Sequence, residues 1–252
     1  MKSQRKTAVV TGTSGAIGGA IARKLSEQGW YVIGVDLQSS GEAGCLSDEC
    51  VGDVARAETW VQVAEKLKSR ADRLDGLVHA AALQICAPLT EVLESDWDRL
   101  MAVNLKSLYL AGRILHDSLM RSKGAVVGIG SVHAAATSND IAAYAASKGA
   151  MSALMRALAV EWAGDGIRVN TVLPGAIDSE MLRAGLARGH LQEGGVEQRL
   201  AELASRTVIG RVGQPEEIAE AAYFLLEAKH SSFVTGAEFA VDGGALARLS
   251  TE

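Results

Sequence analysis

The sequence predicts an α/β fold, a doubly wound sheet of about seven parallel strands with helices on both faces. Three observations carry that expectation. Short β-branched apolar runs alternate with longer stretches whose apolar residues recur at helical spacing. Such alternation calls for parallel strands joined by right-handed crossovers. A glycine cluster, Thr11-Gly12-Thr13-Ser14-Gly15-Ala16-Ile17-Gly18, falls between the first strand and the first helix.

Thr7 to Val10 reads as the first strand. Ala16 to Gln28 reads as a helix, with Ile17, Ala20, Ile21 and Leu25 on one face and Gly29 as its stop. Tyr31 to Val35 is the second strand, ending at Asp36. A short strand around Cys50 and Val51 precedes a helix from about Ala57 to Arg70. Gly76 to Ala80 is the fourth strand. Ser95 suits the N-cap of a long helix reaching about Leu119. Ala125 to Ile129, an Ala-rich helix from Ala142 to Ala163, and Ile167 to Leu173 follow. Pro215 opens a helix that runs to about Leu226. Glu238 to Val241 is a last short strand before Gly243-Gly244. No repeat or linker divides the chain, so residues 1–252 are expected to form a single domain. Residues 176–211 interrupt the rhythm with Gly185, Gly189, Gly194, Gly195 and scattered charges, as a functional lid would.

Composition narrows the function. Of 252 residues, 48% are apolar and 22% charged, which suits a globular chain and excludes a mainly disordered one. Net charge is -5 with dispersed Lys and Arg, so neither a nucleic-acid face nor a polybasic membrane patch is expected. The segment from Met1 to Lys6 leads into too short an apolar run for a signal peptide. No stretch approaches the roughly 20 apolar residues of a membrane span. Cys45, Cys50 and Cys86 lack metal-ligand spacing and read as reduced thiols of a cytoplasmic protein. No His, Cys or acid cluster suggests a metal.

The glycine cluster suits a dinucleotide. Glycines let the backbone turn tightly beside a pyrophosphate, and the helix start offers free N–H groups and a positive dipole end. Asp36 closes the second strand 24 residues after Gly12. A carboxylate there accepts hydrogen bonds from ribose hydroxyls and repels a 2′-phosphate. No arginine follows at Leu37 or Gln38, so the expected cofactor is NAD rather than NADP. The spacing G-x-G-x-x-G itself is absent, since the glycines stand at 12, 15, 18 and 19.

Tyr144-Ala145-Ala146-Ser147-Lys148 lies on the Ala-rich helix. Positions four apart share a helix face, so the phenol and the ammonium can meet. A nearby cation stabilises phenolate and lowers the tyrosine pKa. Ser131, thirteen residues earlier, ends the fifth strand. Ligands of open α/β sheets bind beyond the carboxyl ends of the strands, so Ser131 would face the same crevice as the cofactor.

With these residues in order, the chain resembles the short-chain dehydrogenase/reductase family from Lys6 to Gly244. The resemblance implies a single Rossmann-type domain and a homotetramer. It implies an oxidoreductase that exchanges a hydride between a nicotinamide cofactor and a secondary alcohol or ketone. Tyr144 would be the general acid/base. Lys148 would hold the nicotinamide ribose and depress the tyrosine pKa. Ser131 would hydrogen-bond the substrate oxygen. Asn104, in Val103-Asn104-Leu105, would anchor a relay water. The glycine motif maps onto Gly12, Ser14, Gly15, Ile17 and Gly18, with Asp36 at the ribose. Asp53 and Val54 would flank the adenine, and Ala80 and Ala81 the middle of the cofactor. Pro174, Gly175, Ile177 and Ser179 would line the nicotinamide end. The C-terminal pattern maps onto Phe233-Val234-Thr235-Gly236 through Val241-Asp242-Gly243-Gly244.

Three positions depart from the family pattern. Ala16 replaces the middle glycine of the phosphate motif. His79-Ala80-Ala81-Ala82 replaces Asn-Asn-Ala-Gly, removing side-chain bonds that tie the sheet. Ser179 replaces a threonine and keeps its hydroxyl. His133, two residues after Ser131, reads as a substrate contact or as a solvated histidine. Arg183, Arg188, His190, Arg199 and Arg206 in the lid segment could draw an anion or simply face solvent. A hydroxylated ring, polyol, sugar derivative or hydroxy acid would each fit. Two alternatives stay open: an NADPH-dependent ketoacyl-type reductase, and a non-catalytic dinucleotide-binding regulator.

Overall fold

The computed structural model describes residues 5–39, 44–188 and 195–248. Strands β1 (Thr7–Thr11), β2 (Tyr31–Asp36), β3 (Asp48–Val51), β4 (Gly76–His79), β5 (Ala125–Ile129), β6 (Arg168–Pro174) and β7 (Glu238–Val241) form one sheet. Its order is β3-β2-β1-β4-β5-β6-β7 and every pairing is parallel. The helices are α1 (Ala16–Glu27), α2 (Ala57–Lys68), α3 (Glu94–Met101), α4 (Ser107–Ser122), α5 (Ala142–Glu161), α6 (Glu180–Arg188), α7 (Val196–Arg206) and α8 (Pro215–Leu226).

Two apolar layers sandwich the sheet. The period-2 alternation of β1 sends Ala8 and Val10 to one face and Val9 to the other. Ala8 and Val10 pack with Ile21 and Leu25 of α1 and with Ile218 and Leu225 of α8. Val9 packs with Trp60 of α2, Leu115 of α4 and Met151 of α5. Burial on both faces explains why the strands read as continuous apolar runs rather than as alternating ones. Strand order reverses between β1 and β4, which opens the crevice where ligands of this architecture bind.

The sheet and its helices are those the sequence predicts, with three differences. The long helix begins at Glu94 behind Leu93, with no side-chain cap, so Ser95 is a first-turn residue and not the N-cap. A π turn, Ala102–Lys106, then separates α3 from α4. Its extra residue turns Asn104 inward, which smooth apolar periodicity does not reveal. Within the interrupted segment stand two helices, α6 and α7, short and polar enough to escape a periodicity reading. Gly189, His190 and Gly194 lie outside the described residues.

Candidate active site

The glycine turn is fixed by close approach. Gly12 has φ +72°, and a Cβ there would lie 2.9 Å from the Ala81 nitrogen. A Cβ on Gly18 would stand 2.1 Å from the Gly12 carbonyl oxygen, so only glycine lets α1 pack on the turn. Thr11 Oγ1 accepts the N–H groups of Ala80 (3.0 Å) and Ala81 (2.9 Å). Those bonds draw the chain off β4 one residue earlier than expected. They hold Ala80 and Ala81 against the loop. The arrangement leaves a backbone cradle at the start of α1 that fits a pyrophosphate.

A cavity of about 720 Å³ runs from this cradle to the ends of β5 and β6. Gly12, Gly18, Ala80, Pro174, Ile177 and Ser179 line it, as do Ser131, His133, Tyr144 and Lys148. Ser179 Oγ also accepts the Leu182 N–H (3.2 Å), capping α6 as that helix crosses the opening. Asp36 stands at the glycine-loop rim, where its carboxylate accepts the N–H groups of Ser14 (2.9 Å) and Leu37 (2.7 Å).

The catalytic set converges. Ser131, Tyr144 and Lys148 are all buried. Lys148 Nζ lies 5.6 Å from the Tyr144 ring centroid and donates to the Ile129 carbonyl at 2.8 Å. Burial pushes the Lys148 ammonium down to about 8. Burial pushes the Tyr144 phenol up to about 12, against the lowering effect of a hydrogen bond from Ser131. Desolvation outweighs the Ser131 bond, and Lys148, expected from the sequence to depress the phenol, is not among the groups that lower it.

Two expected residues are committed elsewhere. Asn104 Oδ1 accepts the Leu83 N–H (2.7 Å), while Nδ2 donates to the Leu83 carbonyl (2.9 Å) and Ser147 Oγ (3.0 Å). Both of its amide hydrogens are used and its amide oxygen already accepts one bond. Asp53 pairs with Arg99 (2.7 Å) and accepts the Ala55 N–H (2.9 Å), which together hold its carboxyl below the usual range despite burial. Neither Asp53 nor Val54 lines the cavity.

Part of the far end carries no local sequence signal. Gln84, Leu203, Thr207 and Ala245 line it beside Met181 and Leu182. They come from three separated segments, and no local motif marks them. Among the lid cations, Arg183 bonds Asp178 (2.8 and 3.0 Å) and Glu197 (2.8 Å), and Arg199 reaches the Leu186 carbonyl. These two are half-exposed and also bond α6 to its surroundings. Arg206 lines the cavity. The Arg188 side chain is outside the described residues. Among the described residues no group of three potential metal ligands occurs, and no helix is long and apolar enough to cross a membrane.

A seven-stranded doubly wound sheet, a glycine cradle and a Ser-Tyr-Lys cluster at one crevice define a dinucleotide-binding oxidoreductase fold. The chain belongs to the short-chain dehydrogenase/reductase family, whose members bind a nicotinamide dinucleotide. The family model described as enoyl-(acyl carrier protein) reductase matches residues 12–245. The 2-(S)-hydroxypropyl-CoM dehydrogenase 3 of Xanthobacter autotrophicus is 34% identical over 245 residues, 93% of this chain and 94% of that protein. Galactitol 2-dehydrogenase (L-tagatose-forming) of Cereibacter sphaeroides is 36% identical over 250 residues, 94% of this chain and 93% of that one. A solved structure from Beutenbergia cavernae, titled as a candidate NAD(P)-dependent gluconate 5-dehydrogenase, carries NADP at low occupancy. It is 33% identical with a TM-score of 0.86, covering 96% of this chain and 97% of that chain. These relatives support an oxidoreductase acting on CH–OH groups.

Proposed function

We propose that this protein is an NAD-dependent dehydrogenase that interconverts a secondary alcohol and a ketone on a small polyhydroxylated substrate. The observation that carries the reading is the single cavity joining the glycine cradle to Ser131, Tyr144 and Lys148. Nicotinamide supplies the hydride acceptor or donor when bound. Tyr144 takes the proton of the substrate hydroxyl during oxidation and returns it during reduction. Ser131 donates to the substrate oxygen. Lys148 holds the nicotinamide ribose and keeps a cation beside the phenol. Asn104 is assigned to anchor a relay water through its backbone, while its side chain bonds Leu83 and Ser147. Asp36 favours NAD, since its carboxylate stands where a 2′-phosphate would be repelled; the NADP in a relative means that family membership alone does not decide this.

Asp53 and Val54 are assigned to the adenine end, and Ile177 and Ser179 to the nicotinamide end. His133 is assigned to the substrate. Residues 176–211 are assigned as a lid, supported by α6 and α7 bordering the cavity. A polyol is favoured because Gln84, His133 and Arg206 add polar groups to the substrate end. The named activity of the Cereibacter relative points the same way.

We read the chain as one domain working in the cytoplasm as a homotetramer. The assembly reading rests on an exposed apolar edge, where Phe224 and Phe239 stack with centroids 6.1 Å apart and Val160 is 80% exposed. Light scattering giving a monomeric mass would reject it. The functional test is NAD reduction over polyols, diols, cyclic alcohols and hydroxy acids, repeated with NADP and with Tyr144→Phe. Turnover with NAD that the variant loses supports the reading. A preference for NADP would favour the reductase alternative. Tight NAD binding without turnover would favour a regulator.

A further inference from the structure

We propose that His79 is a positioning residue: through Ser107 it clamps the π turn that carries Asn104, and through Asn104 and Ser147 it sets the helix turn bearing Tyr144 and Lys148. The proposal rests on the catalytic reading above.

The bonding can be followed proton by proton. Ser107 Oγ lies 2.5 Å from the Val103 carbonyl oxygen, which accepts its single proton. His79 Nε2 lies 2.6 Å from the same Oγ. With that hydroxyl proton already given, the imidazole must donate, so Nε2 carries its hydrogen. Ser107, the first residue of α4, thus bonds back one turn to Val103 in the π turn, a pattern that bends helices. Val103 is bonded to Asn104, whose Nδ2 donates to Ser147 Oγ at 3.0 Å. Ser147 in turn donates to the Tyr144 carbonyl at 2.7 Å. His79, Ser107, Asn104 and Ser147 are each 0% exposed, so water cannot replace a lost partner.

The other ring nitrogen supports the assignment. His79 Nδ1 is buried without a hydrogen-bond partner. An apolar residue would avoid that cost, so the imidazole is kept for its Nε2 edge. The ring stays neutral, because burial and then the Lys148 charge both oppose imidazolium. The loss of sheet-tying bonds expected from histidine at this position is therefore made good by a bond to Ser107.

The test compares His79→Leu, His79→Gln and Ser107→Ala with the wild type, using NAD and meso-2,3-butanediol. Glutamine places an amide donor near the Nε2 position; leucine has similar bulk and no donor. The expected result is a kcat lower by about tenfold or more in His79→Leu and Ser107→Ala, from a misplacement of under 1 Å. The KM for NAD should hold, the kcat pH profile should shift, and His79→Gln should recover most of the rate. Hydrogen exchange measured by mass spectrometry should rise across residues 102–107 and 142–148 in His79→Leu, and not in His79→Gln. Unchanged kcat and pH profile in folded His79→Leu overturns the proposal. If the wild type turns over neither meso-2,3-butanediol nor any polyol, diol, cyclic alcohol or hydroxy acid of the panel above, the catalytic reading falls. Exchange then decides the clamp alone: unchanged protection in His79→Leu overturns it, and loss recovered by glutamine supports it.

Discussion

The backbone N–H of His133 donates to Ser131 Oγ at 3.2 Å. That bond uses a lone pair of the serine, while the serine proton is directed at the Tyr144 oxygen. It also brings the His133 ring edge-on to Tyr144, with centroids 6.0 Å apart at 77°. His133 Nδ1 is buried without a partner, so Nε2 is the polar edge a ligand can meet. His133→Ala is expected to raise the KM for a vicinal diol by about two- to tenfold, the worth of one hydrogen bond. The KM for a simple secondary alcohol should stay put. Steady-state kinetics on paired substrates, such as 2,3-butanediol and 2-butanol, checks this; equal shifts would assign His133 to packing.

Tyr144→Phe removes the proton carrier and leaves the ring. Turnover should fall by about 10²- to 10⁴-fold. NADH affinity, followed by fluorescence titration, should change little. Because burial holds the phenol at about 12 in the free protein, kcat/KM for alcohol oxidation should keep rising as pH increases above neutrality. An alcohol-oxidation profile that levels off below pH 8 would contradict the desolvated environment.

Asp36→Ala removes the carboxylate that the proposed function assigns to the adenosine ribose. Two charge-assisted hydrogen bonds are at stake, so kcat/KM for NAD should fall by about 10- to 100-fold. Discrimination against NADP should weaken at the same time. Unaltered cofactor preference would place the ribose elsewhere.

His79 also sets an acid limit on stability. Its pKa drops from 6.5 to about 3 on folding, so the unfolded chain binds a proton that the folded chain refuses. The contribution is complete above the unfolded value and is lost as pH falls from 6.5 toward 3. His133 is lowered too and adds to the same window. Glu217, at about 2 beside Arg211, adds only below its ordinary 4.5. Melting temperature should therefore already decline between pH 6.5 and 5, and less so in His79→Gln.

Much of this was legible because the informative signals are local. Thr11 to Gly18, and the Tyr144–Lys148 spacing, each sit within two turns of chain. The strands announce themselves because burial on both faces demands unbroken apolar runs. What stayed hidden depends on contacts between distant segments. The Asn104 turn looks like ordinary helix until Leu83 and Ser147 take its amide. The compensation of His79 requires Ser107, 28 residues away, on another element. The helices Glu180–Arg188 and Val196–Arg206 are short and carry Gly185 and many charges, so neither stands out as an apolar run.

The 2.1 Å that separates a hypothetical Gly18 Cβ from the Gly12 oxygen also bears on how the chain matures. Loop and helix touch through the chain's own backbone, so the anion seat is shaped when β1 and α1 dock. A cofactor arriving there has little disorder to remove, and little of its affinity is spent on shaping the protein. Gly18→Ala would then harm the newly made chain before it harmed the enzyme. The defect should appear as lost yield and a lower melting temperature, and excess NAD should not repair it.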